Sequence, residues 1–174
     1  MKLRVIMLLC GLLGAGCTGI PQNVEPIKNF ELERYLGQWH EIARLDHSFE
    51  RGLEQVTAEY SMRDDGGVKV INRGYSIEEK QFEQAEGKAY FVESADVGYL
   101  KVSFFGPFYG SYVIAALDED YRYALVVGPN TDYLWILARE PELDLAIVNT
   151  LVAKAKDFGV DTEALIFPKT LQIP

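Results

Sequence analysis

Eight short apolar runs, separated by turn residues, constrain the fold of this chain more than any other feature. The runs are rich in Val, Ile, Tyr and Phe and cover residues 38–46, 54–62, 67–76, 81–93, 98–105, 109–118, 122–128 and 133–139. Turn sequences such as Asp65-Gly66-Gly67 and Gly128-Pro129-Asn130 lie between them. Eight strands joined by tight turns favour an antiparallel meander, and closure of the meander removes its exposed edges. The sequence therefore predicts an all-β fold, an eight-stranded antiparallel up-and-down β-barrel, which is large enough to enclose one small ligand.

One α-helix is predicted after the barrel. Pro141 stands where a first helical residue is expected, and Gly159 stands where the helix should stop. Between them, apolar residues recur at helical spacing and form one face: Leu145, Val148, Leu151, Val152 and Ala155. We expect this C-terminal helix to pack on the outside of the barrel and a last short strand to follow near residues 165–167.

The first 16 residues have the composition of a secretory signal peptide. Lys2 and Arg4 supply a basic start, residues 5–13 are apolar, and the small residues 14–16 precede Cys17. The apolar run is far shorter than the roughly 20 residues that a spanning helix needs. We therefore expect residues 1–16 to be removed and the mature chain to begin at Cys17.

Cys17 would be the only cysteine of the mature chain, because Cys10 lies in the leader. A cysteine that follows an apolar run and small residues resembles the bacterial lipobox, whose cysteine thiol receives a diacylglycerol and becomes the new N-terminus. The lipobox usually has Leu where this chain has Gly14, so ordinary signal-peptidase cleavage beside an unmodified cysteine is the alternative. Thr18, in place of the Asp associated with inner-membrane retention, favours the outer membrane. Residues 17–29 are then the lipidated N-terminus and a tether, with the protein facing the periplasm.

The charge of the chain excludes some partners. The full sequence has 17 basic and 26 acidic residues, a net charge of −9. A strongly acidic surface repels phosphate backbones and anionic headgroups, so neither nucleic-acid binding nor a polybasic membrane patch is expected. Attachment to a membrane then requires acyl chains, each of whose buried methylenes contributes about 0.8 kcal/mol.

Three motifs in order along the chain resemble the signatures of the lipocalin family. The first contains Gly37 and Trp39 at the start of the first strand. The second covers residues 117–126 around the turn between the sixth and seventh strands, and the third, residues 133–139, ends in Arg139. The subgroup most similar in sequence is the bacterial outer-membrane lipocalins, which resemble apolipoprotein D and plant temperature-induced lipocalins.

The resemblance gives Gly37, Trp39 and Arg139 a structural role. Trp39 begins the first strand and Arg139 ends the eighth, so both lie at the same end of a closed meander. An arginine over an indole face forms a cation–π pair worth about 0.5–2 kcal/mol. By family analogy, this pair closes one end of the barrel, with residues 30–36 crossing beneath it.

Alternation along the strands predicts which side chains point into the barrel. The motifs fix the parity of the strands, and a one-residue error would reverse any strand. The expected ligand-binding residues are Tyr60, Asn72, Phe91, Phe104, Tyr112, Ile114, Tyr133 and Trp135. Small inward residues that leave room are Ala58, Ala89, Ala116 and Ala124. This mostly apolar lining suits an acyl chain whose polar end lies near the mouth.

The expected function is the binding, storage or transport of a lipophilic ligand by a lipocalin domain over residues 30–174. Fatty acids, phospholipids and lysophospholipids are the ligand classes that the resemblance implies. For the oligomeric state, we consider a homodimer.

We expect no catalytic residues, no cofactor and no metal site. His40 and His47 have no motif partner and are interpreted as surface residues, and the acids at 118–120 are interpreted as turn residues. Two alternatives stay open. One is a lipid-modifying enzyme on the lipocalin fold, and the other is a structural, partner-binding lipoprotein whose barrel is filled.

Overall fold

The computed structural model describes residues 18–168 and shows a closed barrel. Its strands are β1 (Gly37–Arg44), β2 (Leu53–Met62), β3 (Val68–Ser76), β4 (Gln81–Phe91), β5 (Tyr99–Ser103), β6 (Gly110–Leu117), β7 (Tyr123–Val127) and β8 (Leu134–Ala138). Each strand pairs antiparallel with the next, and β8 pairs with β1. The predicted eight-stranded barrel is confirmed, and every strand lies within two residues of its expected bounds.

The two ends of the barrel differ. At one end, helix α1 (Leu32–Tyr35) lies just before β1, and the indole Nε1 of Trp39 donates to the Tyr35 carbonyl at 2.8 Å. This is the closed end, and the expected crossing of residues 30–36 is present there. The opposite, open end carries four loops: 45–52, 77–80, 104–109 and 128–133.

A β-bulge reverses the expected parity near the end of β6. Between Ile114 and Ala116 the pairing with β7 shifts, and Ala116 comes to lie opposite Leu125. Ile114 packs inside the barrel, whereas Ala116 and Leu125 pack in the outer core. The inward assignment of Ala116 is therefore wrong, because an extra residue in one strand changes the face that later side chains occupy.

Helix α2 (Leu145–Asp157) packs on the outside of the barrel, as predicted. Its buried residues are Val148, Leu151 and Ala155. They share the outer core with outward side chains of the barrel wall, which include Ala43, Val113, Leu125, Leu134 and Ile136. The barrel thus has two cores, one between its wall and α2 and one inside it.

Helix α2 begins later than the sequence predicts. Its first residue is Leu145, and the carboxylate of Asp144 accepts a hydrogen bond from the backbone N–H of Ala146 at 2.8 Å. The expected start at Pro141 is wrong because this side-chain cap satisfies the exposed amides of the first turn at Asp144. The stop lies where it was expected, since Gly159 follows the helix with a φ of +86°.

The chain after α2 forms a short 3-10 helix, Thr162–Ala164, in place of further sheet. The strand expected near residues 165–167 is a single bridge, in which Ile166 and Arg44 exchange backbone hydrogen bonds of 2.8 and 2.9 Å. No helix among residues 18–168 is long and apolar enough to cross a membrane.

Residues 18–29 pack along the barrel wall. Ile20 and Val24 join the outer core, and Val24 is buried. The N–H of Ile27 donates to the Ile114 carbonyl at 2.9 Å, and the Ile27 carbonyl accepts from the N–H of Gly98 at 2.9 Å. The expected free tether is thus a docked segment, because its apolar side chains gain burial against the wall.

Candidate ligand-binding cavity

The closed end is sealed by Trp39 and Arg139. The guanidinium carbon of Arg139 lies 4.0 Å from the centroid of the buried Trp39 ring, so the expected pair is present. The guanidinium also donates at 2.7–3.2 Å to the backbone carbonyls of Arg34, Leu36, Gln38 and Tyr121. A single side chain therefore joins α1, β1 and the turn between β6 and β7 at this end.

Gly37 occupies the turn from α1 into β1. Its φ is +91°, in the left-handed region that favours glycine. A side chain there would begin 3.5 Å from Nη1 of Arg139. The glycine of the motif is thus explained by backbone conformation beside the arginine.

Above this floor the barrel is hollow. A cavity of about 560 Å³ extends towards the open end, where its mouth lies between the loops. Six of the expected ligand-binding residues line it: Tyr60, Asn72, Phe104, Tyr112, Tyr133 and Trp135. The hollow interior contradicts the alternative of a filled barrel.

Phe91 and Ile114 lie outside the lining. Both belong to the core at the closed end, where the Phe91 ring is 6.1 Å from the ring of Phe30 and Ile114 is fully buried. The parity of both residues is inward, as expected, but their height in the barrel places them below the cavity.

Three tyrosine hydroxyls form a floor for the cavity. The hydroxyl of Tyr112 lies 2.8 Å from that of Tyr35 and 2.8 Å from that of Tyr60. Burial raises the pKa of all three phenols, so they stay protonated. Two hydrogen bonds use two of the three hydroxyl protons, and the third proton remains available at the cavity floor.

An acidic wall, which the sequence analysis missed, lies between this floor and the mouth. It consists of Glu41, Arg44 and Glu50, all buried. Nη1 of Arg44 donates to Oε1 of Glu41 at 2.5 Å, and Nη2 donates to the Glu50 carbonyl at 3.0 Å. Both carboxylates line the cavity, and Oε2 of Glu50 accepts from Nε1 of Trp135 at 3.0 Å. The wall places two carboxylates and one compensating cation beside the ligand space.

The carboxylates of the wall hold protons more tightly than usual. Burial and, to a smaller extent, the nearby Glu50 raise the pKa of Glu41, Arg44 opposes the rise, and the net pKa is about 7. Burial also raises the pKa of Glu50, against the hydrogen bond from Trp135 and the charge of Arg44. The negative charge of the wall therefore depends on pH near neutrality.

A signal for Glu41 was present in the sequence. Trp39 points inward, so the two-residue period of β1 also turns Glu41 inward. Arg44 breaks that period because a register shift lies between Glu41 and Ala43. Glu50 is in the loop after β1, where alternation gives no information.

His47 is buried at the mouth, so its interpretation as a surface residue is wrong. Its ring stacks on Tyr133 with the centroids 4.5 Å apart and on Phe49 at 5.2 Å. Burial lowers the pKa of His47. The neutral ring thus serves as an aromatic spacer that orients Tyr133 and Trp135 along one side of the mouth.

The family model of the lipocalin-like domain matches residues 30–170, which is most of the chain. The chain belongs to the lipocalin family. Among solved structures, this lipocalin is similar to insecticyanin from the tobacco hornworm Manduca sexta, with a TM-score of 0.70 and 22% identity over 88% of each chain. At that identity the likeness shows the fold alone.

Bacterial relatives are much more similar in sequence. The lipocalin is 57% identical to outer membrane lipoprotein Blc of Vibrio cholerae over 164 residues, which cover 94% of this chain and 96% of the relative. It is 53% identical to outer membrane lipoprotein Blc of Escherichia coli K12 over 147 residues, 84% of this chain and 83% of that one. Temperature-induced lipocalin-1 of Arabidopsis thaliana is 33% identical over 154 residues, with coverage of 83% and 81%.

These relatives confirm the predicted location and class of function. The lipocalin is an outer-membrane lipoprotein, and its function is the binding, storage or transport of a lipophilic ligand. The signal peptide and Cys17 lie outside the described residues, so acyl attachment at Cys17 stays a prediction.

A second depression, of about 700 Å³, lies outside the barrel against β1 and β2. Its lining includes Gln38, the half-buried His40, Gln55 and Arg73. Eight of its fifteen lining residues are polar or charged, so it suits a lipophilic ligand less well than the interior of the barrel does. Among residues 18–168, no group of three potential metal ligands comes together.

Proposed function

We propose that this lipocalin carries a lipid with one acyl chain, either a lysophospholipid or a fatty acid, in its barrel cavity. The observation that carries the proposal is the hollow of about 560 Å³, whose lining is apolar apart from a few polar groups. Its volume lies within the roughly 300–1,000 Å³ of small-molecule sites. A phospholipid with two acyl chains would need about twice the apolar volume, so it suits the cavity less well.

The lining gives the ligand a direction. Val70, Leu100 and Val102 supply an apolar sleeve for the acyl chain, and burial of that chain contributes about 25 cal/mol per Å² before the costs of immobilisation. The acidic wall lies nearer the mouth, since Glu50 belongs to the open-end loop 45–52. The polar end of the lipid then lies at the height of the wall.

The wall favours a headgroup that donates hydrogen bonds. Glu41 and Glu50 present carboxylate oxygens to the cavity, and Oδ1 of Asn72 is buried without a protein partner among the described residues. An ammonium group is attracted by this set of acceptors, whereas the carboxylate of a fatty acid is repelled at the same height. We therefore propose lysophosphatidylethanolamine as the preferred class and a fatty acid as the weaker one.

We also propose that the lipocalin is a binding protein and not an enzyme. The polar residues that line its cavity include tyrosines held protonated by burial and carboxylates bound by Arg44 and Trp135. The others are Asn72, Arg73, Glu83, Gln84, Ser103, Ser111 and Asn130. A hydrolytic mechanism needs a nucleophile within hydrogen-bond reach of an oriented base. The cavity lining of residues 18–168 offers no such arrangement, and His47 is fixed in an aromatic stack at the mouth.

The test is native mass spectrometry of the chain from Thr18 onward, which contains the whole barrel and both cores. Lysophosphatidylethanolamine, a long-chain fatty acid and a diacyl phospholipid are titrated separately. We expect one bound lysophospholipid per chain at micromolar concentration and a change in Trp135 emission on saturation. The same spectra read the oligomeric state, for which we propose a homodimer.

Two neighbouring residues of β2 supply a matched pair of variants. Ala58 lines the cavity, and Thr57 faces the outer depression. Ala58→Trp fills the hollow and should abolish binding, whereas Thr57→Trp adds the same ring outside and should leave binding unchanged. Lipid bound equally well by both variants would overturn the assignment of the cavity.

A further inference from the structure

Large apolar side chains are exposed around the mouth of the cavity. In loop 104–109, Phe105 is 78% exposed and Phe108 is 76% exposed, and Phe49 of loop 45–52 is 58% exposed. Loop 104–109 contains no charged residue. Clustered exposed apolar side chains mark a contact surface, because water solvates them poorly.

The described chain begins at the same end of the barrel. The carbonyl of Gly19 accepts from Oγ of Ser111 at 2.6 Å, and the Tyr99 hydroxyl donates to the Thr18 carbonyl. Gly19 also lies beside the carbonyl of Pro129, an open-end residue that lines the cavity. From there the segment runs along the wall to the closed end, where the N–H of Phe30 donates to the Asp96 carbonyl at 2.9 Å.

Covalent geometry limits the distance between the start of the described chain and the exposed phenylalanines. Cys17 precedes Thr18 by one peptide unit, which spans about 3.8 Å between Cα atoms. Ser111, which holds Gly19, follows Phe108 by three residues, a reach of about 10 Å at most. Thr18, the residue that follows the expected acyl attachment point, therefore lies on the same side of the mouth as the phenylalanine loop.

We propose that the mouth of the barrel docks on the membrane that holds the Cys17 acyl chains, with Phe105 and Phe108 inserted at the boundary of headgroups and acyl chains. The lipid then passes between the bilayer and the cavity without crossing water. This proposal rests on the acylation of Cys17 and on the proposed carriage of a lipid.

A bilayer suits this surface better than a protein partner. Loop 104–109 is apolar and carries no charge, and the docked segment 18–29 begins at the same end of the barrel. The net charge of −9 gives no attraction to anionic lipids, so the contact must come from apolar insertion.

The test uses the full acylated lipoprotein in vesicles of phosphatidylethanolamine and phosphatidylglycerol that contain lipids with brominated acyl chains. Phe108→Trp places a fluorophore at the mouth. Val92→Trp is the matched control, because Val92 is exposed in the loop between β4 and β5 at the closed end. The emission of the parent, which comes from Trp39 and Trp135, is subtracted.

We expect Phe108→Trp emission to shift to the blue and to lose most of its intensity to bromine quenching, and Val92→Trp to lose none beyond the parent. Equal quenching of both variants would overturn the docked orientation. Emission of Phe108→Trp that changes with protein density and not with bromine would overturn it in favour of a second copy at the mouth. If the mass of the purified chain showed an unmodified Cys17, the proposal would fail, because it depends on acylation of that residue.

Lipid titration of the same two variants separates this proposal from the proposed function. If both variants bind lysophosphatidylethanolamine but neither is quenched, the docked orientation fails and the lipid carrier stands. If neither variant nor the parent binds lipid, the carrier itself fails, whatever the quenching shows.

Discussion

The indole Nε1 of Trp135 donates a hydrogen bond of 3.0 Å to Oε2 of Glu50 and joins β8 to the loop between β1 and β2. The bond fixes a carboxylate on the wall of an otherwise apolar cavity. It also couples an aromatic ring of the cavity lining to the group that we propose as a headgroup acceptor. Trp135 emission should therefore report on both the presence of a lipid and the charge of the wall.

Removal of the wall's charge should change which lipid binds. In the double variant Glu41→Gln/Glu50→Gln we expect the affinity for lysophosphatidylethanolamine to fall about tenfold, roughly 1.4 kcal/mol, because the ammonium loses its charged acceptors. Fatty-acid binding should hold or improve, since the repulsion of its carboxylate is relieved. Titration followed by Trp135 emission measures both affinities. Glu59→Gln, on the exposed outer face of β2, is the control and should change neither.

Glu41 should make the stability of the folded chain depend on pH. The pKa of Glu41 is raised from 4.5 to about 7 in the folded chain, so the folded state binds the proton more tightly than the unfolded state between those values. Its contribution to stability is therefore greatest at low pH and is lost as pH rises, by on the order of 1–3 kcal/mol. Urea unfolding of the parent and of Glu41→Gln across this window measures the difference. Identical slopes against pH in both chains would contradict the prediction.

The barrel was predictable because its causes are local. Eight alternating runs with turn residues between them admit few arrangements, and Trp39 and Arg139 mark one end. The same alternation placed six of the eight expected residues on the cavity wall. It could not give height along the barrel, which is why Phe91 and Ile114 lie below the cavity, nor foresee the bulge that turns Ala116 outward.

The positions of most polar residues of the site could not be predicted from the sequence. Arg44 faces inward because of a bulge, and Glu50 and His47 lie in a loop that contacts Trp135 of β8. The docking of residues 18–29 depends on an outer core that forms only when the barrel is complete. These features depend on tertiary contacts. The proposed headgroup choice and membrane orientation depend in turn on these features.

Loss of the half-buried Arg139 should lower the stability of the chain more than loss of an exposed arginine. Arg139→Met removes a cation–π contact and hydrogen bonds to four carbonyls, so we expect the free energy of unfolding to fall by at least about 2 kcal/mol. Arg51→Met is the control, because the ion pair of Arg51 with Asp46 is exposed and worth less than about 1 kcal/mol. Equal losses in the two variants, measured by urea unfolding, would show that the closed end does not depend on this side chain.

Removal of the central hydroxyl of the tyrosine floor should lower the free energy of unfolding more than removal of a hydroxyl on the outer side of the barrel. Tyr112→Phe removes both hydrogen bonds of the floor. The buried hydroxyls of Tyr35 and Tyr60 then lose the Tyr112 hydroxyl, which is their shared partner. Because an unpaired buried polar group costs about 1–3 kcal/mol, we expect a loss of stability of that order in the empty barrel. Tyr75→Phe, which removes a hydroxyl from the half-buried outer side of β3, should cost less than about 0.5 kcal/mol. If the lipid's deep end is a methyl group, a saturating lysophospholipid should stabilise parent and Tyr112→Phe equally. A smaller gain for Tyr112→Phe would instead show that the spare hydroxyl proton of the floor bonds an acceptor on the ligand.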